Sequence, residues 1–232
     1  MYKRQIYNSA KPQENISDAQ IQSQIDVINE DFRRTNSDAN NTWSQAADTQ
    51  IEFCMATVDP NGNATNGITR KSSSKTSWGT SDAMKKASQG GVNPWDTSQY
   101  LNMWVCNIGG GILGYAQFPG GSWSTDGVVL GSRFVGRTDR TATHEVGHWL
   151  NLRHIWGDGG CGATDFVSDT PDAAGPSRGC PTYPTVECGT TNMTMNFMDY
   201  SSDDCMYMFT NGQKARMDAV FATGGFRATM AD

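Results

Sequence analysis

Near the start of the chain the apolar positions fall on a helical period. Ile21, Ile25, Ile28 and Phe32 form one stripe. Ser17 stands as an N-cap with Gln20 three residues on, and Ile16 and Ile21 sit at the two ends of a hydrophobic staple. The pattern predicts a helix packed on a core. A short strand is expected to begin at Gln5-Ile6-Tyr7. Further short apolar runs with strand character lie at 51–56, 101–106, 113–118 and 128–134. Asp59-Pro60-Asn61-Gly62 and Pro119-Gly120-Gly121 close two of them with turn residues. The polar run 71–80 reads as a loop, and 81–89 as a short helix ended by Gly90-Gly91. Residues 141–151 read as a helix. A last helix starts near Thr210, with Gln213 again three residues on, and runs towards Phe221. Between these two helices, residues 156–204 are rich in Gly, Pro, Asp, Thr and Cys and carry little periodicity. That stretch is expected to be irregular and to need disulfides or an ion to hold it.

A chain of 232 residues with 37% hydrophobic residues can bury one real core. No run of about 18 apolar residues exists, so no membrane span is expected. The 18 Lys and Arg residues are scattered and the net charge is −6, which argues against a nucleic-acid partner. Six cysteines, none in a C-x-x-C pair, fit three disulfides and an oxidising, extracellular setting better than a zinc ribbon. The first residues, Met1-Tyr2-Lys3-Arg4-Gln5, have no apolar signal core. The expectation is that this sequence starts inside a longer precursor.

The chemistry concentrates in His144-Glu145-Val146-Gly147-His148-Trp149-Leu150-Asn151-Leu152-Arg153-His154. On a helix, His144 and His148 share one face and can offer two imidazoles to one ion. Glu145 lies beside that ion, where it can act on water. His154 would be carried away by continued helix, so the chain must bend near Asn151 to bring it back. Three protein ligands leave a fourth position open, as a catalytic zinc site requires. The chain has only three histidines, and all are in this segment.

These residues resemble the metzincin clan of zinc peptidases, whose motif is H-E-x-x-H-x-x-G-x-x-H, and within it the pappalysin family. The closer match is carried by His148-Trp149-Leu150, Leu152-Arg153-His154 and Trp156. Asn196-Phe197-Met198-Asp199-Tyr200 and the later Asp203-Asp204-Cys205-Met206 extend it. The chain departs from the motif at Asn151, which stands in place of glycine. Asn is the next most tolerant residue of a left-handed turn, and the doubt it raises is weakened zinc binding or activity.

The resemblance implies an α+β zincin fold, a twisted mixed sheet with a backing helix and an active-site helix. Residues 1–154 would form an N-terminal catalytic subdomain, and 155–232 an irregular one with a Met-turn and a final helix. It implies that Met198 underlies the metal and that Tyr200 reaches the metal or the oxyanion. Asp203, with Asp204 as its rival, would floor a pocket selecting Arg, and less often Lys, after the cut bond. The strand carrying Gly114, Tyr115 and Ala116 would border the cleft and bind extended substrate. Acidic residues on the irregular stretch suit calcium, with Asp169 the named candidate ligand. Cys54 and Cys106 lie on expected strands that could be neighbours and are paired; locality and likeness favour Cys161–Cys188 and Cys180–Cys205. The expected molecule is a secreted, monomeric zinc endopeptidase acting on polypeptides. Its rivals are a zinc-loaded peptide-binding protein that no longer cuts, and a hydrolase of some other amide.

Overall fold

The computed structural model describes residues 2–230. A five-stranded sheet is built from β1 (Tyr2–Asn8), β2 (Ile68–Ser73), β3 (Asn102–Cys106), β4 (Gly114–Ala116) and β5 (Val128–Gly131), in the order β2-β1-β3-β5-β4. The first four neighbours in that order run parallel, and β4 closes the far edge antiparallel to β5. β3 is apolar at nearly every position because both of its faces are covered. Met103 and Val105 enter the main core, while Trp104 and Cys106 enter a smaller cluster on the other face.

Two helices pack on the main-core face. α1 (Asp18–Phe32) lays down Ile21, Ile28 and Phe32, and α2 (Thr141–Trp149) lays down Val146 and Trp149. Ser17 caps α1 by accepting from Gln20 N. The Gln20 side chain does not close a capping box; it donates across to Val135 O at 2.8 Å. α3 (Asn211–Phe221) begins with the full capping box of Thr210 and Gln213. The stretch after α2 holds little regular structure beyond the two-residue pair β6 (Val186–Glu187) and β7 (Thr190–Thr191). Among the described residues, no helix is long and apolar enough to cross a membrane.

The structure corrects four expectations. Residues 51–56 form no strand and join no sheet. Ile51, Phe53 and Met55 pack against the main core, and the Asn29 side chain on α1 takes the backbone bonds of Phe53, at 2.7 and 2.9 Å. The apolar alternation was real, but a helix side chain rather than a strand answers it. The run 71–80, read as loop, contains the end of β2, an edge strand whose polar residues give no alternation to read. The expected helix over 81–89 is two single 3-10 turns, Ala83–Lys85 and Ala87–Gln89. Finally, Cys54 and Cys106 are not joined. Cys106 is buried in the smaller cluster, whereas the segment bearing Cys54 packs on the opposite face of the sheet. Burial pushes the Cys106 thiol up to about 12. Cys161–Cys188 and Cys180–Cys205 are both formed as expected.

Candidate metal centre

α2 carries His144 and His148 one turn apart, with ring centroids 4.6 Å from each other and the rings edge to face. The helix then ends in a Schellman closure, in which Leu152 N donates to Gly147 O and Asn151 N to His148 O, both at 2.9 Å. The residue at the left-handed position is Asn151, with φ 75°. The reversal expected from the sequence is therefore made, with asparagine doing the work of glycine. It swings His154 back, so that its Nε2 lies 3.1 Å from Nε2 of His148.

Each imidazole is fixed through its other nitrogen. Nδ1 meets Phe197 O at 2.7 Å in His144, Leu152 O at 2.7 Å in His148, and Asp158 Oδ1 at 2.6 Å in His154. An acceptor at Nδ1 keeps the proton there and leaves the Nε2 lone pair for a metal. One nitrogen from each ring lies within 4.8 Å of the others, the only such grouping of metal-binding side chains among the described residues. Burial holds His144 well below the usual imidazole range and His148 down at about 4, so both rings stay neutral as ligands must. His154 is stacked on Trp156 at 4.2 Å. Three converging imidazoles, each anchored at Nδ1, fit a zinc ion with open coordination.

Glu145 is buried beside this cluster, and burial pushes its carboxyl up to about 8. A cation held by the imidazoles opposes that shift by favouring the charged form. Gly114 makes room for it: a Cβ there would stand 3.0 Å from Glu145 Cγ and 3.0 Å from Val129 O. Met198 is fully buried under α2, with its sulfur 2.5 Å from where a Cβ on Gly147 would be. The turn bearing it is locked by Asn196, whose amide is paired both ways with Gln213 at 2.9 Å. Tyr200 brings its ring to 4.8 Å from His154 and 5.5 Å from His144.

A cavity of about 450 Å³ opens next to Glu145, lined by residues 111–114, Arg140, His144, Arg178, Tyr200 and Asp203 among others. Asp204, its neighbour in sequence, does not line this cavity; it lines a second hollow that shares Arg140 and Asp203 with the first. Burial raises Asp203 above the usual carboxylate range.

Residues 86–222 match the model of the peptidase M43 family, described as pregnancy-associated plasma protein-A. An extracellular metalloprotease of Pyricularia oryzae is 37% identical over 229 residues, covering 92% of this chain and 70% of that protein. The chain belongs to the M43 peptidases, the pappalysins. The structure of mature mirolysin of Tannerella forsythia, in complex with a cleaved peptide, superposes with a TM-score of 0.95 at 48% identity, covering 99% of this chain and 93% of that one. Extracellular metalloprotease 1 of Coccidioides posadasii is 40% identical over 135 residues, 52% of this chain and 49% of its own length. As an M43 peptidase the chain is a zinc metalloendopeptidase with the α+β fold of that family.

The sequence named the three histidines, Glu145, Met198, Tyr200 and Asp203; the histidines gather in one cluster, His144, Glu145, Tyr200 and Asp203 line the cavity, and Met198 lies buried beneath α2. Of the strand residues, Gly114 borders Glu145, but Tyr115 turns its side chain away and donates its hydroxyl to Asp82 Oδ1 at 2.9 Å. Asp169 holds the start of α3, accepting from Thr210 Oγ1 at 2.6 Å and Gly212 N at 2.8 Å. Sequence reading missed Arg140, whose guanidinium ties Asp38 at 2.7 and 2.9 Å to the carbonyls of Asp203 and Met206. It also missed Asp158 as the partner of His154, and Arg178, which lies over the Tyr200 ring at 5.0 Å. Spacing four residues after His154 was the only sequence signal for Asp158.

Proposed function

We propose that this pappalysin is a secreted endopeptidase that cuts on the N-terminal side of Arg, and of Lys less often. The observation that carries the reading is the meeting of three Nδ1-anchored imidazoles, Glu145 and an acid-floored cavity at one open sheet edge. His144, His148 and His154 would hold the zinc, whose chemistry is to polarise the scissile carbonyl and to acidify water. Glu145 takes the proton of the attacking water on a carboxylate oxygen and passes it to the leaving amine nitrogen as the C–N bond breaks. The Tyr200 phenol donates a hydrogen bond to the carbonyl oxygen as it gains negative charge.

Asp203 accepts the guanidinium of the residue after the bond, and Arg140, bonded to the Asp203 carbonyl, holds that loop in place. Gly114 and Ala116 pair with the substrate backbone. Residues 1–154 and 155–232 act as the two walls of the cleft, in a monomer. Calcium is proposed for the irregular stretch as a whole, since the oxygens of Asp169 are engaged by α3. Secretion is supported by the extracellular naming of the relatives.

Mapping every cut in a denatured protein mixture tests the reading. The expected result is cutting before Arg and Lys, with Asp203→Ala erasing that preference while cutting continues. Cuts spread over other residues in the wild type would sink the Asp203 assignment.

A further inference from the structure

The edge strand β4 ends at Ala116, and single backbone bonds to the β5 side flank it at Leu113 and Gln117. Leu113 O accepts from Gly131 N at 2.7 Å, and Gln117 N donates to Gly127 O at 3.1 Å. Bonding alternates along an antiparallel ladder, so residues 113, 115 and 117 face β5. The N–H and C=O groups of Gly114 and Ala116 therefore point to the open edge. Side chains alternate as well. Tyr115 joins the small cluster on one face. On the other face Gly114 lies over Glu145, Ala116 packs against the main core, and Phe118 brings its ring to 5.2 Å from the His148 ring. Seen from α2, this face reads Gly, Ala, Phe. Phe118 remains 40% exposed, a large apolar ring left in water at the border of the cleft.

We propose that the step between Ala116 and Phe118 is a subsite for an aromatic or branched aliphatic side chain, two residues before the bond that is cut. The proposal rests on the peptidase reading above, with the residue after the bond entering the cavity that holds Asp203. That cavity opens at residues 111–114, so the substrate upstream of the bond must run towards Phe118, antiparallel to β4. Residues directly opposite one another in such a ladder share a face. A side chain entering the cavity beneath Gly114 fixes the phase. The residue just before the bond then points outward, and the second one before it points down over Ala116. The small Ala116 side chain leaves space there, and the Phe118 ring supplies an apolar wall continuous with the cleft. Burial of one large apolar group against such a wall discriminates about tenfold or more over a small polar one.

The test is a peptide series with Arg fixed after the bond and Phe, Leu, Ala, Ser or Asp two residues before it. Wild type is expected to favour Phe and Leu over Ser by about tenfold in kcat/KM, and Phe118→Ala to bring that ratio close to one. Phe118→Arg should move the preference to Asp at the same position, which shows a direct contact and guards against misfolding in either variant. A flat profile at this position in the wild type overturns the proposal. So does a profile that keeps its shape in Phe118→Ala while every peptide slows alike. Cuts before residues other than Arg or Lys would undo the Asp203 reading alone, because the preference two residues before the observed bond can still be scored. If zinc-loaded wild type cuts no peptide, both readings fall.

Discussion

His144 and His148 are placed by regular geometry: one turn of α2, pressed on a sheet whose two faces are both covered. His154 is placed by a different kind of structure. After the Schellman closure at Asn151 the chain has little regular structure, and its order comes from crosslinks and specific bonds. Two disulfides, Cys161–Cys188 and Cys180–Cys205, tie this part together. Asp169 and the Thr210–Gln213 capping box fix the start of α3, and Gln213 in turn locks the turn that bears Met198. Two arginines from the far end then reach back to α2. Arg216 Nε donates to Asn151 O at 2.6 Å and Arg227 Nε to Trp149 O at 3.1 Å. They satisfy carbonyls at a helix end and oppose its negative dipole. Arg227 is itself buried in a two-bond pair with Asp126, at 2.6 and 2.9 Å. His144 and His148 thus stand mainly on packing, with His144 also anchored at Phe197 O, while His154 stands on a network, and the two parts should fail differently.

The largest effect is expected from the ligand on the irregular side. His154→Ala should weaken zinc binding by more than ~100-fold, beyond the usual loss from outer-shell changes, as read by competition with a chromogenic chelator. An affinity near that of the wild type would mean that two helix ligands suffice. Next comes the crosslink. Replacing Cys180 and Cys205 by serine should cost about 2–4 kcal/mol in a urea melt. Limited proteolysis should then cut first beyond residue 155, while the sheet stays protected; early cuts in the sheet would deny the contrast.

Smaller changes sharpen the comparison. Asn151→Ala should cost about 1 kcal/mol, because alanine resists the left-handed conformation, while Asn151→Gly should cost nothing. Equal melting temperatures for the two variants would show that the bend imposes no such demand. The smallest effect concerns pH. Burial and the nearby Asp203 push Asp139 up to about 6. Its carboxyl is neutral below that pH and charged above it, adding negative field at Asp203. The preference for Arg over Met after the cut bond should therefore rise as pH increases from about 5 to about 7. Asp139→Asn should flatten that rise; an unchanged rise in the variant would assign it to another group.

The same contrast explains what could be read from the sequence. The stripe of Ile21, Ile25, Ile28 and Phe32, the spacing of His144 and His148, and the capping box at Thr210 are local patterns, and each was legible. So was the bend at Asn151, since a helix cannot return His154 without one. Residues 51–56 misled because their alternation reports a buried face and not the partner that takes the backbone bonds. β2 was missed because an edge strand open to solvent needs no apolar face. Arg140, Asp158 and Arg216 act through partners far along the chain or through backbone oxygens, so no spacing announces them. The Cys54–Cys106 pairing failed because it assumed two neighbouring strands where only one exists.

The most direct test of the account compares wild type with Glu145→Gln, each loaded with zinc, on one peptide carrying a single Arg. Metal analysis should find one zinc per chain in both proteins, since Glu145 is not a ligand. The variant should cut slower by about 10²–10⁴-fold, the range of a positioned general base. A zinc-loaded, folded Glu145→Gln that cuts at the wild-type rate would contradict the account, as would a wild type that cuts equally well after its zinc is removed.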